Sequence, residues 1–163
     1  MTSKVEQRLQ EIGVSIPDAP TPAANYLPFT RTGNLVFVSG QVPFVDGKLS
    51  VTGTVGIDAS IEDAQGQAKV CAINLLAQLK VACDGDLDRV VQVVKLGAFV
   101  ASADDFHSQP VVVNAASDLM VAAFGFAESF VAGVFAACGL AAGACGFGAG
   151  SFEAGGGAFG IGI

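Results

Sequence analysis

Basic side chains are scarce in this chain: eight Lys and Arg stand against fifteen Asp and Glu, and none of the eight lies after Lys95. The net charge of -7 disfavours nonspecific binding to a phosphate backbone, which needs clustered cations to displace counterions. Nucleic acid is therefore not an expected partner. Imidazole is nearly absent too. His107 is the only histidine, in the polar turn Asp105-Phe106-His107-Ser108, and the four cysteines, Cys71, Cys83, Cys138 and Cys145, form no CxxC pair. Zinc-ligand spacing is missing, and no metal or other cofactor is expected. His107 has Asp104 and Asp105 beside it, but a catalytic base also needs a nucleophile, and a solvated loop histidine is the simpler reading. The polar first residues, with Lys4, Glu6 and Arg8, do not read as a secretion signal, so reduced thiols and a cytoplasmic location are expected.

What is present is apolar. At 163 residues, 52% hydrophobic and only 14% charged, the chain suits one domain spanning 1–163 with more apolar surface than a monomer of this size needs to bury. Burial against another subunit is the expected use of that excess, and no membrane is expected.

Ser3 followed by Val5, Leu9 and Ile12 at helical spacing predicts a short amphipathic N-terminal helix ending near Gly13. Pro17, Pro20, Pro22 and Pro28 make the next segment an extended connector. Phe29 to Thr32, Gly33-Asn34 and Leu35 to Ser39 read as a hairpin, and Asp46-Gly47 offers a second tight turn. A long helix is predicted from Ser60 to near Gly85, with Ile61, Ala64, Ala68, Cys71, Ala72, Leu75, Leu79 and Ala82 on its buried stripe. Cys71 and Cys83 then read as inert core thiols. Valine-rich Arg89 to Val100 predicts a long central strand, in which Lys95 must reach an edge, a partner or water. A further helix from near Pro110 to Gly125 should bury Leu119, Met120, Ala123 and Phe124. Two more strands would complete a sheet with helices on one face.

The stretch Leu35-Val36-Phe37-Val38-Ser39-Gly40-Gln41-Val42-Pro43 is the most site-like. A buried strand running straight into Ser-Gly delivers a hydroxyl and an unshielded backbone N–H to a strand end, where small ligands are commonly held.

After Gly125 the composition changes. Residues 126–163 contain no Lys, Arg, His, Asp, Asn, Gln, Thr, Tyr or Pro, and only Glu128 and Glu153 carry charge. Glycine at this density specifies neither helix nor strand well. Three readings stay open: a membrane span over the uncharged Ser129–Phe152 with its Gly139-xxx-Gly143, a low-complexity coil that the six phenylalanines argue against, or a sequence after Gly125 that does not report the true gene product, through a reading-frame error or wrongly assigned side chains.

Tyr26, then Arg31 to Pro43, the helix containing Asn74-Leu75-Leu76-Ala77-Gln78-Leu79, then Leu87-Asp88-Arg89-Val90-Val91, and Asn114 ahead of Phe124-Gly125 together resemble the YjgF/RidA family, also labelled endoribonuclease L-PSP. The resemblance covers about residues 20 to 125. It implies a chorismate-mutase-like α+β fold, a mixed sheet backed by two helices, here with a short N-terminal helix added. It also implies a homotrimer with clefts between subunits, in which members hydrolyse imine and enamine intermediates to 2-keto acids and ammonia without a cofactor. Carried over by position, Tyr26 would line the cleft, Ser39 and Gly40 would present a hydroxyl and an N–H to the ligand, and Asn114 would sit at the rim. The residues alone equally allow Tyr26 to cover a core edge, Ser39 to cap its own turn and Asn114 to be solvated.

Deaminase members carry an arginine soon after the Phe-Gly and a glutamate in the last strand. Counted forward without gaps, these positions fall near Ala132 and Phe147, which can supply neither function. A guanidinium gripping a carboxylate contributes about 1.5–3 kcal/mol per charge-assisted bond, so its loss weakens binding at least about tenfold. Losing the carboxyl also removes general acid-base assistance of about 10²- to 10⁴-fold. The expected function is thus binding of a small imino, carbonyl or carboxylate compound, with 2-imino or 2-enamino acid deaminase (hydrolase) activity only if the two groups are supplied. A non-catalytic ligand-sensing or partner-binding module is the alternative, and an endoribonuclease, suggested by the family label only, is third.

Overall fold

The computed structural model describes residues 3–21, 25–49, 51–125, 131–138 and 160–162, the last two segments as backbone strands. Helix α1 is Lys4–Glu11. Its N-terminus is closed by a capping box: Ser3 Oγ accepts from the Glu6 N–H at 3.2 Å, and Glu6 Oε2 accepts from the Ser3 N–H at 3.1 Å. At the other end Gly13, at φ +72°, lets the Val14 N–H reach the Leu9 carbonyl at 2.8 Å and the Gly13 N–H reach that of Gln10 at 3.0 Å. This is the glycine-terminated helix end that satisfies otherwise orphaned carbonyls. Val5 and Leu9 are buried as their spacing predicts, whereas Ile12 is exposed because it falls on the cap, beyond the last helical turn.

The described connector residues, 14–21 and 25–28, form no helix or strand. Strands β1 (Phe29–Thr32) and β2 (Leu35–Val38) pair antiparallel around Gly33-Asn34. Gly33 alone takes the positive φ, +55°. The short strands β3 (Phe44–Val45) and β4 (Lys48–Leu49) are joined by Asp46-Gly47, both at positive φ, the two-residue turn whose twist matches a hairpin. The expectation of a buried β2 needs correcting. Its residues alternate: Val38 is buried and Val36 packs on the core, while Leu35 and Phe37 are exposed. One side of the hairpin faces helix, and the other has no cover among the described residues.

Helix α2 is Ile61–Ala82, capped by Ser60, whose Oγ accepts from the Asp63 N–H at 3.0 Å. Beyond the predicted stripe, three carboxamides, Gln67, Asn74 and Gln78, are buried with it. A single 3-10 turn, Leu87–Arg89, follows, started by Asp86, whose carboxylate accepts from the Asp88 N–H at 3.0 Å.

The strand expected over Arg89–Val100 begins later: β5 is Lys95–Ser102. Residues 90–94 are irregular, and Val91 is 85% exposed. β-Branched content predicts a strand only where a partner backbone exists, and the described ladders start at Lys95. Within β5, Leu96, Ala98, Val100 and Ser102 point to the buried side, and Lys95 reaches water at the strand's first position. Helix α3 is Gln109–Phe124, with Pro110 in its first turn and Gly125 closing it at φ +74°. It buries Leu119, Met120, Ala123 and Phe124 as predicted, together with Val112, Val113 and Ala116.

Strand β6 (Val131–Cys138) pairs parallel to β5, and β7 (Gly160–Gly162) pairs antiparallel on the other side of β5. The sheet order β6-β5-β7 is therefore mixed. Its β5–α3–β6 passage supplies the helical crossover that a parallel pair requires. Helix α2 packs against α3, β1, β2, β3 and β7, and α3 packs against α1, β5 and β6. This is the predicted α+β arrangement, helices gathered on one side of strands. The tail thus enters the sheet at 131–138, where Ala132 stands opposite Leu96. Phe147 and most of the Ser129–Phe152 segment lie outside the described residues. Among the described residues, no helix is long and apolar enough to cross a membrane.

Candidate ligand groove

A groove open to solvent runs beside the end of β2, between the connector and the flank of α2. It is lined by Pro20, Tyr26, Gly40, Gln41, Asn74 and Gln78, with Thr21, Pro28, Val42 and Phe44 completing the wall. Its shape is set by three carboxamides that are almost fully buried: Gln41 is 8% exposed, Asn74 4% and Gln78 3%. Asn74 Nδ2 donates to the carbonyls of Val42 (3.2 Å) and Phe44 (3.1 Å), holding the chain after β2 against α2. Gln78 Nε2 donates to the Pro20 carbonyl at 2.6 Å and holds the connector. Gln41 Nε2 turns back to the carbonyls of Ser39 (3.0 Å) and Gly40 (3.4 Å). Asn74 and Gln78 can do this because a spacing of four puts both on one helix face.

The structure brings two of the four candidate ligand residues to this groove. Tyr26 lies on its rim, 46% exposed, and the exposed Gly40 forms part of its wall. Ser39 is next to it, but its Oγ donates to the Leu27 carbonyl at 2.6 Å and its N–H to that of Pro28 at 2.9 Å. The hydroxyl proton is committed to the turn, while the oxygen retains acceptor capacity. Asn114 is exposed on α3 and does not line the groove.

Sequence reasoning missed Gln41, Asn74 and Gln78. A signal was there: Asn74 and Gln78 interleave with Cys71, Leu75, Leu79 and Ala82 at the i, i+3, i+4 spacing of the buried stripe. A carboxamide on such a stripe needs a buried partner.

Among the described residues, no cation lines the groove. The three arginines of the chain are directed to helix-end carbonyls: Arg31 donates to that of Ala82, Arg89 to that of Cys83 at 3.1 Å while pairing with Asp84, and Arg8 to that of Ala123 at 3.3 Å. Cations belong there, where unpaired carbonyls concentrate negative potential. The Arg89 guanidinium holds the Asp84 carboxyl below its usual range.

The described thiols are not activated. Burial pushes Cys71 up to about 12, and raises Cys83 against the opposing pull of Arg89 and Arg31. A nucleophilic thiol needs the opposite shift. Among the described residues, no group of three or more His, Cys, Asp or Glu is placed to hold a metal ion.

The family model described as "YjgF/chorismate mutase-like, putative endoribonuclease" matches residues 6–142. This chain belongs to the YjgF family. The match reaches further than the motifs suggested, back into α1 and past Gly125 through β6. Protein TCP17 of Trypanosoma cruzi is 40% identical over 124 residues, 76% of this chain and 77% of that protein. Among solved structures, Atu1372 of Agrobacterium tumefaciens, described as having unknown function, is 38% identical, with a TM-score of 0.78 over 97% of this chain and 89% of its own. A Shewanella oneidensis protein described as a "putative endoribonuclease" is 25% identical, with a TM-score of 0.79 over 97% of each chain. The chorismate-mutase-like fold of the YjgF family accounts for the helix-backed mixed sheet.

Proposed function

We propose that this YjgF protein binds a small imino, carbonyl or carboxylate compound in the groove beside Tyr26 and Gly40, and that the groove is completed as a cleft between subunits of a homotrimer. The observation that carries the reading is the meeting, at the end of β2, of an aromatic ring, an unshielded glycine N–H and a hydroxyl oxygen. The uncovered side of the hairpin, with Leu35 and Phe37 exposed, supports the oligomer, and Asn114, remote from the groove within one chain, would then approach from a neighbouring subunit. With alanine at position 132 and every arginine bound elsewhere, the reading is binding without efficient turnover.

The test uses Tyr26, the chain's single tyrosine in the absence of tryptophan, so that its emission reports on the groove alone. A stable cyclic imine, a neutral ketone and a 2-keto acid are titrated separately. At least one should give a saturable change, and silence towards all three would remove the groove as a ligand site. In a parallel assay, the free imine left for semicarbazide to trap should decline no faster with micromolar protein than without it. Acceleration would restore the deaminase reading. Light scattering should give a trimer mass, and a monomer mass would leave the cleft incomplete.

A further inference from the structure

The polarity of the groove narrows its ligand. Each of the three carboxamides has its NH₂ directed to backbone carbonyls, of Ser39 and Gly40 for Gln41, Val42 and Phe44 for Asn74, and Pro20 for Gln78. A carbonyl can only accept, so these partners fix which prong of each amide is nitrogen and which is oxygen. No donor among the described residues reaches the oxygen of Gln41, Asn74 or Gln78. Among those residues, no buried side-chain nitrogen or oxygen goes without a partner, which is compatible with oxygens that meet open space. Among the described residues, no Lys, Arg or His lines the wall, the Tyr26 ring stands at its rim, and the chain carries a net charge of -7. An anion entering here would meet the Gly40 N–H as a donor and would otherwise give up water largely for acceptor oxygens and an aromatic face, both of which repel it.

We propose that the carboxamide oxygens of Gln41, Asn74 and Gln78 face the groove as acceptors and, with the Tyr26 ring, select the N–H-bearing cationic end of a small molecule, an ammonium or iminium group, over a carboxylate. The inference rests on the groove being the ligand site and names which of the candidate compound classes it recognises. A protonated imine or amine supplies N–H donors to the oxygens and positive charge to the ring. The carboxylate of a compound carrying both groups would point out of the groove.

Methylammonium and acetate, both small and opposite in charge, test this at neutral pH and fixed ionic strength, with two-dimensional NMR of the unmodified protein. The side-chain NH₂ signals of Gln41, Asn74 and Gln78 and the Gly40 amide should shift saturably with methylammonium, with at least about tenfold weaker response to acetate. Tyr26→Leu, at a half-exposed position, should keep the spectrum folded and weaken methylammonium about two- to fivefold. Saturation by acetate and not methylammonium would overturn the ligand class while leaving the groove as a site. Response to neither, with Tyr26 still sensing the cyclic imine or the ketone, would overturn the acceptor role alone. Silence of Tyr26 towards every probe would take the groove reading down with it.

Discussion

Two polar regions flank α2 and use their groups differently. At the corner where α1 docks, donors and acceptors close on one another: Asp88 accepts from the N–H groups of Lys4 (2.9 Å) and Val5 (3.0 Å), Ser3 and Glu6 complete the capping box, and Lys80 pairs with Glu6 at 2.5 Å. In the groove, Asn74, Gln78 and Gln41 bind backbone through nitrogen, and no described donor meets their oxygens. The first pattern is what anchoring a short helix needs, since eight residues do not hold a helix in water without docking. The second anchors two loops as well, yet leaves acceptors over. The comparison shows that a buried polar side chain is informative about function through the valence that structure leaves unused.

The largest expected effect comes from Asn74→Leu. The Phe44 carbonyl, on a half-buried residue, would lose the donor that reaches it at 3.1 Å, and because water can replace that donor only in part, a loss of about 1–2 kcal/mol is expected. Urea unfolding measures this, and the variant should also lose the response of Tyr26 to ligand, because the wall formed by Val42 and Phe44 moves. Wild-type stability together with wild-type ligand response would erase the distinction between the two regions.

Ser39→Ala should have a smaller effect. Its Oγ donates to the carbonyl of Leu27, a largely exposed residue, and water can replace that donor, so a loss of about 0.5–1 kcal/mol is expected. If the hydroxyl oxygen also accepts from ligand, affinity falls with little further change in stability. Equal affinity in the variant and the parent would assign Ser39 to the turn alone.

How far these features were legible in the sequence follows the range of the forces involved. The bounds of α1, α2 and α3 were readable because Ser3, Ser60, Gly13 and Gly125 act on their own helix ends, and the Asp46-Gly47 turn because both residues take the required φ. The start of β5 was not, since residues 90–94 resemble Val100 in composition and differ in having no described partner strand. Nor was β6, whose glycine- and alanine-rich sequence states no period, and whose strand form is set by its register with β5. In the candidate site, Tyr26 was singled out through motif resemblance and Gly40 already through the strand that runs into Ser-Gly. Asn74 and Gln78 were overlooked because they lie on the buried stripe of α2, away from the strand end on which attention fell, and their long-range partners, Val42, Phe44 and Pro20, cannot be inferred from local spacing.

The smallest effect concerns the corner and its pH dependence. Lys80, through its hydrogen bond, and then the Ser3 N–H hold the Glu6 carboxyl below its ordinary value of 4.5. A depressed carboxyl stabilises the fold above the unfolded-state value, and that contribution disappears as pH falls through the lower, folded-state value. The paired N–H groups of Lys4 and Val5 depress Asp88 in the same direction. The Glu6 contribution therefore weakens below about pH 4.5 and that of Asp88 below its own ordinary value of 3.8, and α1 should loosen before the α2–α3 core, whose buried stripe has no ionised group to protonate. Glu6→Gln keeps a capping-box acceptor and loses the ion pair, which at a partly exposed site contributes only about 0–1 kcal/mol. The variant should match the parent at pH 3 and fall slightly below it at pH 7, as read from amide hydrogen exchange in α1. An identical exchange profile at both pH values would mean that the capping box and Asp88 hold the helix without help from Lys80.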